Sequence, residues 1–215
     1  ATSAEADVVF EHVNQGTDTL LFGSLTTDVK LTLGSNVIQT VHTNRTVKLN
    51  SRATFENATG GSGNDTLGGN SLNNILRGNA RNDVLVGYGG DDTLYGGDGR
   101  NILVGGDGAD RLTGGADEDL LLGARYIYEA NFARLKALIT EWTSASGFDV
   151  RMAHLLGTAS GGLNGTTFLK STTVKEDGAR DVLIGSSGTD WYLRNHLGAV
   201  VAARDAVNDA DLDSV

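Results

Sequence analysis

The chain has 215 residues, a formal net charge of -10, no cysteine, no proline and only 6% aromatic residues. That length fits one domain or two small ones, the missing cysteines exclude disulfide staples, and the acidic balance lacks the basic footprint that nucleic acid or an anionic membrane requires. No apolar run approaches the ~18 residues of a spanning helix, so no membrane insertion is expected, and cations are the natural guests.

Residues 1–59 read as β-rich. The stretches DVVFEHV, DTLLF, DVKLTLG, NVIQTVH and RTVKLN alternate or run apolar between turn residues, and the region ends at FENATGG. Their spacing is irregular. Asn44, Asn57 and Asn164 each begin an N-x-T triplet, a motif too short to carry weight alone.

From residue 60 the chain becomes periodic. Glycine stands at 60, 69, 78, 87, 96, 105, 114 and 123, each nine residues after the last, which delimits seven contiguous nonapeptides. The sixth position of each holds Asp65, Asn74, Asp83, Asp92, Asn101, Asp110 or Asp119, and the eighth always holds leucine, from Leu67 to Leu121. A glycine-rich stretch of six residues can turn sharply and aim its carbonyls at a cation, and the remaining three form a short strand whose leucine points inward. Two nonapeptides then make one coil of two strands, and coils stack as in other solenoids. Stacked corners lie about 4.8 Å apart, so sixth-position carboxylates two repeats apart repel by roughly 3 kcal/mol at an effective dielectric of 20. A calcium ion, which takes six to eight oxygens, reverses that sign and makes metal binding part of folding.

This word, G-G-x-G-x-D-x-L-x, resembles the nonapeptide of the repeats-in-toxin (RTX) family of secreted proteases, lipases and cytolysins. The resemblance implies a mainly β fold, a parallel β-roll (a right-handed β-solenoid with two nonapeptides per coil), and calcium as the bound cofactor. In such rolls an ion takes the carbonyls of positions 2 and 4 and the acid of one loop, with the carbonyls of positions 1 and 3 and the acid of the loop two repeats on. Carried over, one site uses Gly61, Gly63 and Asp65 with Gly78, Ala80 and Asp83. A second uses Tyr88, Gly90 and Asp92 with Gly105, Asp107 and Asp110. Both have two acids and rank first. Pairs containing Asn74 (facing Gly87 and Gly89) or Asn101 (with Gly96 and Asp98, or with Gly97 and Gly99 facing Gly114, Ala116 and Asp119) keep an oxygen, lose a charge and bind more weakly. Gly106 and Gly108, Asp181, and Asp190 complete the metal set toward the C-terminus. The sequence departs from the family word at position 4, where Leu72, Arg81 and Asp117 stand, and at position 2, where Tyr88 does.

Outward strand positions carry a second message. One sheet presents Thr66/Gly68, Val84/Val86, Ile102/Val104 and Leu120/Leu122; the other presents Ile75/Arg77, Thr93/Tyr95 and Arg111/Thr113. The first face is apolar and needs a cover. The glycine-free stretch YIYEANFARLKALITEW puts Ile127, Phe132, Leu135, Leu138, Ile139 and Trp142 on one stripe, predicting a helix over 129–144 packed on that face and a shorter one over 149–156 ending at Gly157. Self-association is the competing use of the patch. Residues 124–165 thus read as a helical insertion.

Residues 166–215 return to alternation and then to degenerate repeats, EDGARDVLI and GSSGTDWYL, with Trp191 and Tyr192 as a bulky end cap and an acidic tail, DAVNDADLDSV. GTDTL at 16–20 echoes the end of the repeat with Asp18 in the acid position, so residues 1–59 read as an extension of the same solenoid with wider coils.

No catalytic constellation emerges: His12, His42, His154 and His196 are scattered singly, and neither a G-x-S-x-G elbow nor a phosphate loop is present. The expectation is a non-enzymatic, calcium-loaded structural module of a secreted or cell-surface protein, folding on extracellular calcium. Alternatives are an adhesion or partner-binding module, the non-catalytic part of a secreted hydrolase contacting other domains of its parent, and, last, an ice-binding solenoid, for which the flat threonine array is lacking.

Overall fold

The computed structural model describes residues 5–9, 16–35, 37–42, 45–49, 55–175, 177–196 and 199–205; the acidic tail beyond Asp205, His12 and Asn44 lie outside them. In chain order come β1 (Glu5–Val9), β2 (Thr19–Leu21), β3 (Lys30–Thr32), β4 (Gln39–His42), β5 (Arg45–Leu49) and β6 (Asn57–Thr59). The nonapeptides supply β7 (Thr66–Asn70), β8 (Ile75–Asn79), β9 (Val84–Gly89), β10 (Thr93–Gly97), β11 (Ile102–Asp107), β12 (Arg111–Gly115) and β13 (Leu120–Leu122). There follow β14 (Arg125–Tyr126), α1 (Phe132–Trp142), α2 (Phe148–Leu156), β15 (Val174–Lys175), β16 (Val182–Ser186), β17 (Asp190–His196) and β18 (Ala199–Asp205).

Strands of alternate repeats separate into two parallel sheets, as the short strand and glycine turn dictate. One runs β2-β6-β8-β10-β12-β16; the other runs β3-β7-β9-β11-β13-β17 and ends on β18, which is antiparallel to β17. Eighth-position leucines stay in register along each sheet, Leu76 beside Leu94 beside Leu112 beside Leu183, and Leu67 beside Leu85 beside Leu103 beside Leu121. All are buried in a common core between the sheets. The fold is a parallel β-roll.

At the N-terminal end β2, β3 and β6 join the two sheets, but the coil offset grows from 18 residues between Asp65 and Asp83 to 36 between Val29 and Asp65 and 38 between Asp18 and Glu56. The extra chain forms an additional sheet whose Val41, Val47 and Leu49 join the core of the roll. β4 and β5 pair antiparallel and β5 takes β1 in parallel, giving a separate three-stranded sheet.

Outside the second sheet lies a second apolar cluster. Val84, Val86, Ile102, Val104, Leu120 and Leu122 pack with Tyr126, Leu135, Leu138, Trp142, Phe148 and Leu155. The apolar face is therefore covered by the chain's own helices, which removes it as a surface for self-association. α1 begins at Phe132, later than the periodicity predicts, because residues up to Asn131 form a turn and the Asn131 side chain accepts the Arg134 amide as an N-cap. Ile127 precedes the helix and is 42% exposed, so it leaves the predicted stripe. α2 ends at Gly157, whose φ of 68° closes the helix in the left-handed conformation.

The alternation read over 166–175 does not make a long strand. Turns held by Asn164 and Thr173 occupy most of it, and only Val174–Lys175 pairs, antiparallel with β14. Then the roll resumes, with an offset of 71 residues in place of 18. Tyr192 enters the core between the sheets, whereas Trp191 faces the opposite way and stacks on Trp142 at 6.0 Å. The end of that sheet is formed by the backbone of β18 rather than by the two aromatics.

Leu103 is fully buried between Leu85 and Leu121. Leu103→Ala is expected to destabilise the calcium-loaded protein by about 3 kcal/mol in chemical denaturation, and Thr93→Ala, on the outward face of the other sheet, by under about 0.5 kcal/mol.

Candidate metal centre

The sixth-position side chains, which polarity alone would send to solvent, are buried: Asp83, Asn101 and Asp119 show no exposed surface, and Asp65, Asn74, Asp92 and Asp110 about as little. Each is drawn in by the coil before it. The amides of Asp65, Asp83, Asn101 and Asp119 donate to Oδ1 of Asp83, Asn101, Asp119 and Asp190 at 2.7 to 2.8 Å. Along the other sheet the amides of Asn74, Asp92 and Asp110 donate to Oδ1 of Asp92, Asp110 and Asp181 at 2.7 to 3.0 Å.

The second carboxylate oxygen separates two kinds of corner. At Asp83, Asp92, Asp110 and Asp119, Oδ2 is buried and has no hydrogen-bond partner. At the asparagines the amide group completes itself: Asn101 Nδ2 donates to the Gly99 carbonyl at 3.0 Å, and Asn74 Nδ2 to the Glu56 carbonyl at 2.8 Å. Each orphaned oxygen lies in a cradle at the first glycine of its own repeat, where a Cβ on Gly78, Gly87, Gly105 or Gly114 would strike it. A buried anionic oxygen without a donor is costly. A cation satisfies it.

Carbonyls surround the same corners. Positions 2 and 4 take positive φ in five successive loops, at Asn79/Arg81, Tyr88/Gly90, Gly97/Gly99, Gly106/Gly108 and Gly115/Asp117. Arg81, Tyr88 and Asp117 thus keep the glycine conformation despite their side chains, and a Cβ on Gly106 would collide with the Tyr88 carbonyl stacked beneath it. Leu72 does not take positive φ; the Asn70 side chain accepts the Leu72 amide and gives that loop another path. Gly61 and Gly63 are likewise outside the pattern, their loop resting on Leu25 and Thr27. Among the described residues no group of three or more His, Cys, Asp or Glu side chains converges. Two acids per corner leave carbonyls to complete a shell of six to eight oxygens, a donor set that fits calcium.

Residues 56–71, 68–103 and 95–125 match the family model of the RTX calcium-binding nonapeptide repeat, in 4 copies. Residues 56–125 thus carry the RTX calcium-binding nonapeptide repeat. No curated protein matches the chain. The match ends at residue 125, before the chain returns to the roll after α2, so loops 177–181 and 185–190 stand on their geometry alone.

Three features of the RTX roll escaped the sequence reading. Glu56 fills the sixth position one nonapeptide before Gly60, its Oε2 accepting the Asp18 amide at 2.8 Å; the unbroken nine-residue phase was the signal. Fifth-position side chains form a second ladder running the other way: Asp28 accepts from Asn64, Asn82 from Arg100, Asn73 from Asp91 and Asp91 from Ala109, at 2.8 to 2.9 Å. Finally, His154 is not alone, since its Nδ1 lies 2.7 Å from Oε1 of buried Glu141, whose Oε2 accepts the Leu163 amide. That pair fastens the loop after α2.

Burial, opposed in part by backbone hydrogen bonds, pushes the Asp92 carboxyl up to about 7, Asp83 and Asp110 to about 8 and Asp119 to about 9. These groups hold protons more tightly in the metal-free roll than in the unfolded chain, so its stability falls as pH rises from about 4 through about 9. In a chelator the thermal midpoint is therefore expected to be higher at pH 5.5 than at pH 8.5. With saturating calcium the order reverses, because protons compete with the ion for the same oxygens.

Proposed function

We propose that the chain is a calcium-dependent structural module of a secreted or cell-surface protein, loosely folded at cytosolic calcium and rolled up outside the cell. The RTX repeats make it a calcium-binding module. The observation that supports the wider reading is the row of buried, partnerless Oδ2 atoms on Asp83, Asp92, Asp110 and Asp119. Without a divalent ion the roll must protonate them or leave buried anions unsatisfied, and either choice weakens it at neutral pH. Asp92 and Asp110, with the carbonyls of Tyr88, Gly90, Gly105 and Asp107, would hold one ion; it would supply positive charge between coils and join oxygens distant in sequence.

Sites built from two carboxylates and several carbonyls suit the weak ~10⁻⁴ to 10⁻³ M range of extracellular modules. Such sites are empty in a cytosol and full outside a cell. An adhesive role for the apolar sheet face is disfavoured, because the helical insertion occupies it.

Far-UV circular dichroism during calcium titration tests the reading. Chelation is expected to remove most of the β signal and millimolar calcium to restore it, and Asp92→Ala and Asp110→Ala are each expected to raise the calcium midpoint at least about tenfold. A spectrum unchanged by chelation contradicts it.

A further inference from the structure

The helical insertion separates β13 from β17, yet the corner formed by their loops is complete. Loop 185–190, outside the family match, repeats the backbone of the RTX loops: Ser186 and Gly188 take φ of 82° and 124°, as positions 2 and 4 do in the five loops before the insertion. It also stacks as they do. The Ser187 amide donates to the Gly115 carbonyl at 3.0 Å, Gly188 sits against the Asp117 carbonyl, and the Asp119 amide donates to Asp190 Oδ1 at 2.8 Å. Asp119 is fully buried and its Oδ2 has no partner. Residues 177–181 differ, with positive φ at Gly178 alone, so the matching corner is the one between Asp119 and Asp190.

Both halves of that corner are gripped by the insertion. Glu118, next to Asp119, accepts Trp142 Nε1 on its carbonyl at 3.0 Å and binds Arg151 through Oε2 at 2.5 Å. Arg151 also donates to the Trp142 carbonyl at 2.6 Å, and Trp191, next to Asp190, stacks on Trp142. Closing the corner therefore positions the surfaces on which α1 and α2 rest.

We propose that a calcium ion held by Asp119, Asp190 and the backbone carbonyls of loops 114–119 and 185–190 is a clasp that locks the helical insertion onto the roll. The site is split, its two acids lying 71 residues apart in the chain. Filling it ties down the whole excursion between them, a loop-closing constraint that an ion within 60–123 cannot supply. The inference rests on the calcium reading of the repeats and adds a separate role for one corner.

Asp190→Asn tests it, because the amide keeps an Oδ1 to accept the Asp119 N–H while removing the charge. The readout is hydrogen exchange of the full chain, with and without calcium, supported by acrylamide quenching of the two tryptophans, Trp142 and Trp191. In the unmodified chain calcium is expected to slow exchange over 132–156. In Asp190→Asn with calcium those amides are expected to exchange at least about tenfold faster, with both tryptophans more readily quenched, while 84–115 stay protected. Equal protection of 132–156 in the two proteins overturns the clasp. Protection lost over 84–115 as well also overturns it, because Asp190 would then hold the entire ladder. If the unmodified chain shows no calcium dependence anywhere, the calcium reading fails together with the clasp.

Discussion

Every coil of the roll carries a sixth-position side chain into the wall and stops it one strand spacing from the next. The backbone enforces this, because the amide at each such position has no partner except the side chain one coil on. Hydrogen bonding thus recruits carboxylates into a buried column where their charges repel. At Asp83, Asp92, Asp110 and Asp119 one oxygen is consumed by the ladder and the other is left over, while at Asp65 the second oxygen accepts the Gly61 amide. The glycine at position 1 makes room for that oxygen, and the left-handed turns at positions 2 and 4 bring carbonyls around it. Strand pairing, glycine placement and metal demand are three consequences of one nine-residue period.

Asparagine shows what the ladder does without an ion. Asn101 keeps the accepting oxygen and replaces the orphan by an N–H group that bonds the Gly99 carbonyl, whereas at Asn74 the oxygen in the cradle accepts the Asn70 amide and Nδ2 donates to the Glu56 carbonyl of the coil before. Such corners are satisfied in themselves, and those of Asp83, Asp92, Asp110 and Asp119 are not. The opposed ladder of fifth-position side chains stacks the coils from the other direction, and its oxygens lie exposed or half-buried, where charge costs little. Together they divide the work: fifth positions and asparagines hold register, and aspartates make the fold answer to calcium.

Much of this was legible in the sequence because a solenoid maps period directly onto structure. Leucine at every eighth position fixed the core, the outward valines, isoleucines and leucines fixed the covered face, and a glycine-free amphipathic stretch supplied its cover. Where the period breaks, foresight thinned. β4 and β5 carry no nine-residue period and pair as a hairpin while Val41, Val47 and Leu49 still reach the core, and alternation over 166–175 proved to be turn chemistry, with Asn164 and Thr173 bonding the backbone locally. Leu72 marks a loop rebuilt around Asn70, a change that one side chain away from glycine already foreshadows. The grip of Glu118 on Trp142 and Arg151 joins residues distant in the chain, and no local pattern announces it.

Direct sight of the ion is the sharpest test of the account. Crystals grown in calcium, measured at a wavelength long enough for calcium to scatter anomalously, should give difference peaks at the corners joining Asp92 to Asp110, with Asp92 and Asp110 Oδ2 among the nearest oxygens. A rolled chain whose aspartate corners hold only water, or nothing, would contradict it, because the fold would then stand with those oxygens buried and no cation to satisfy them.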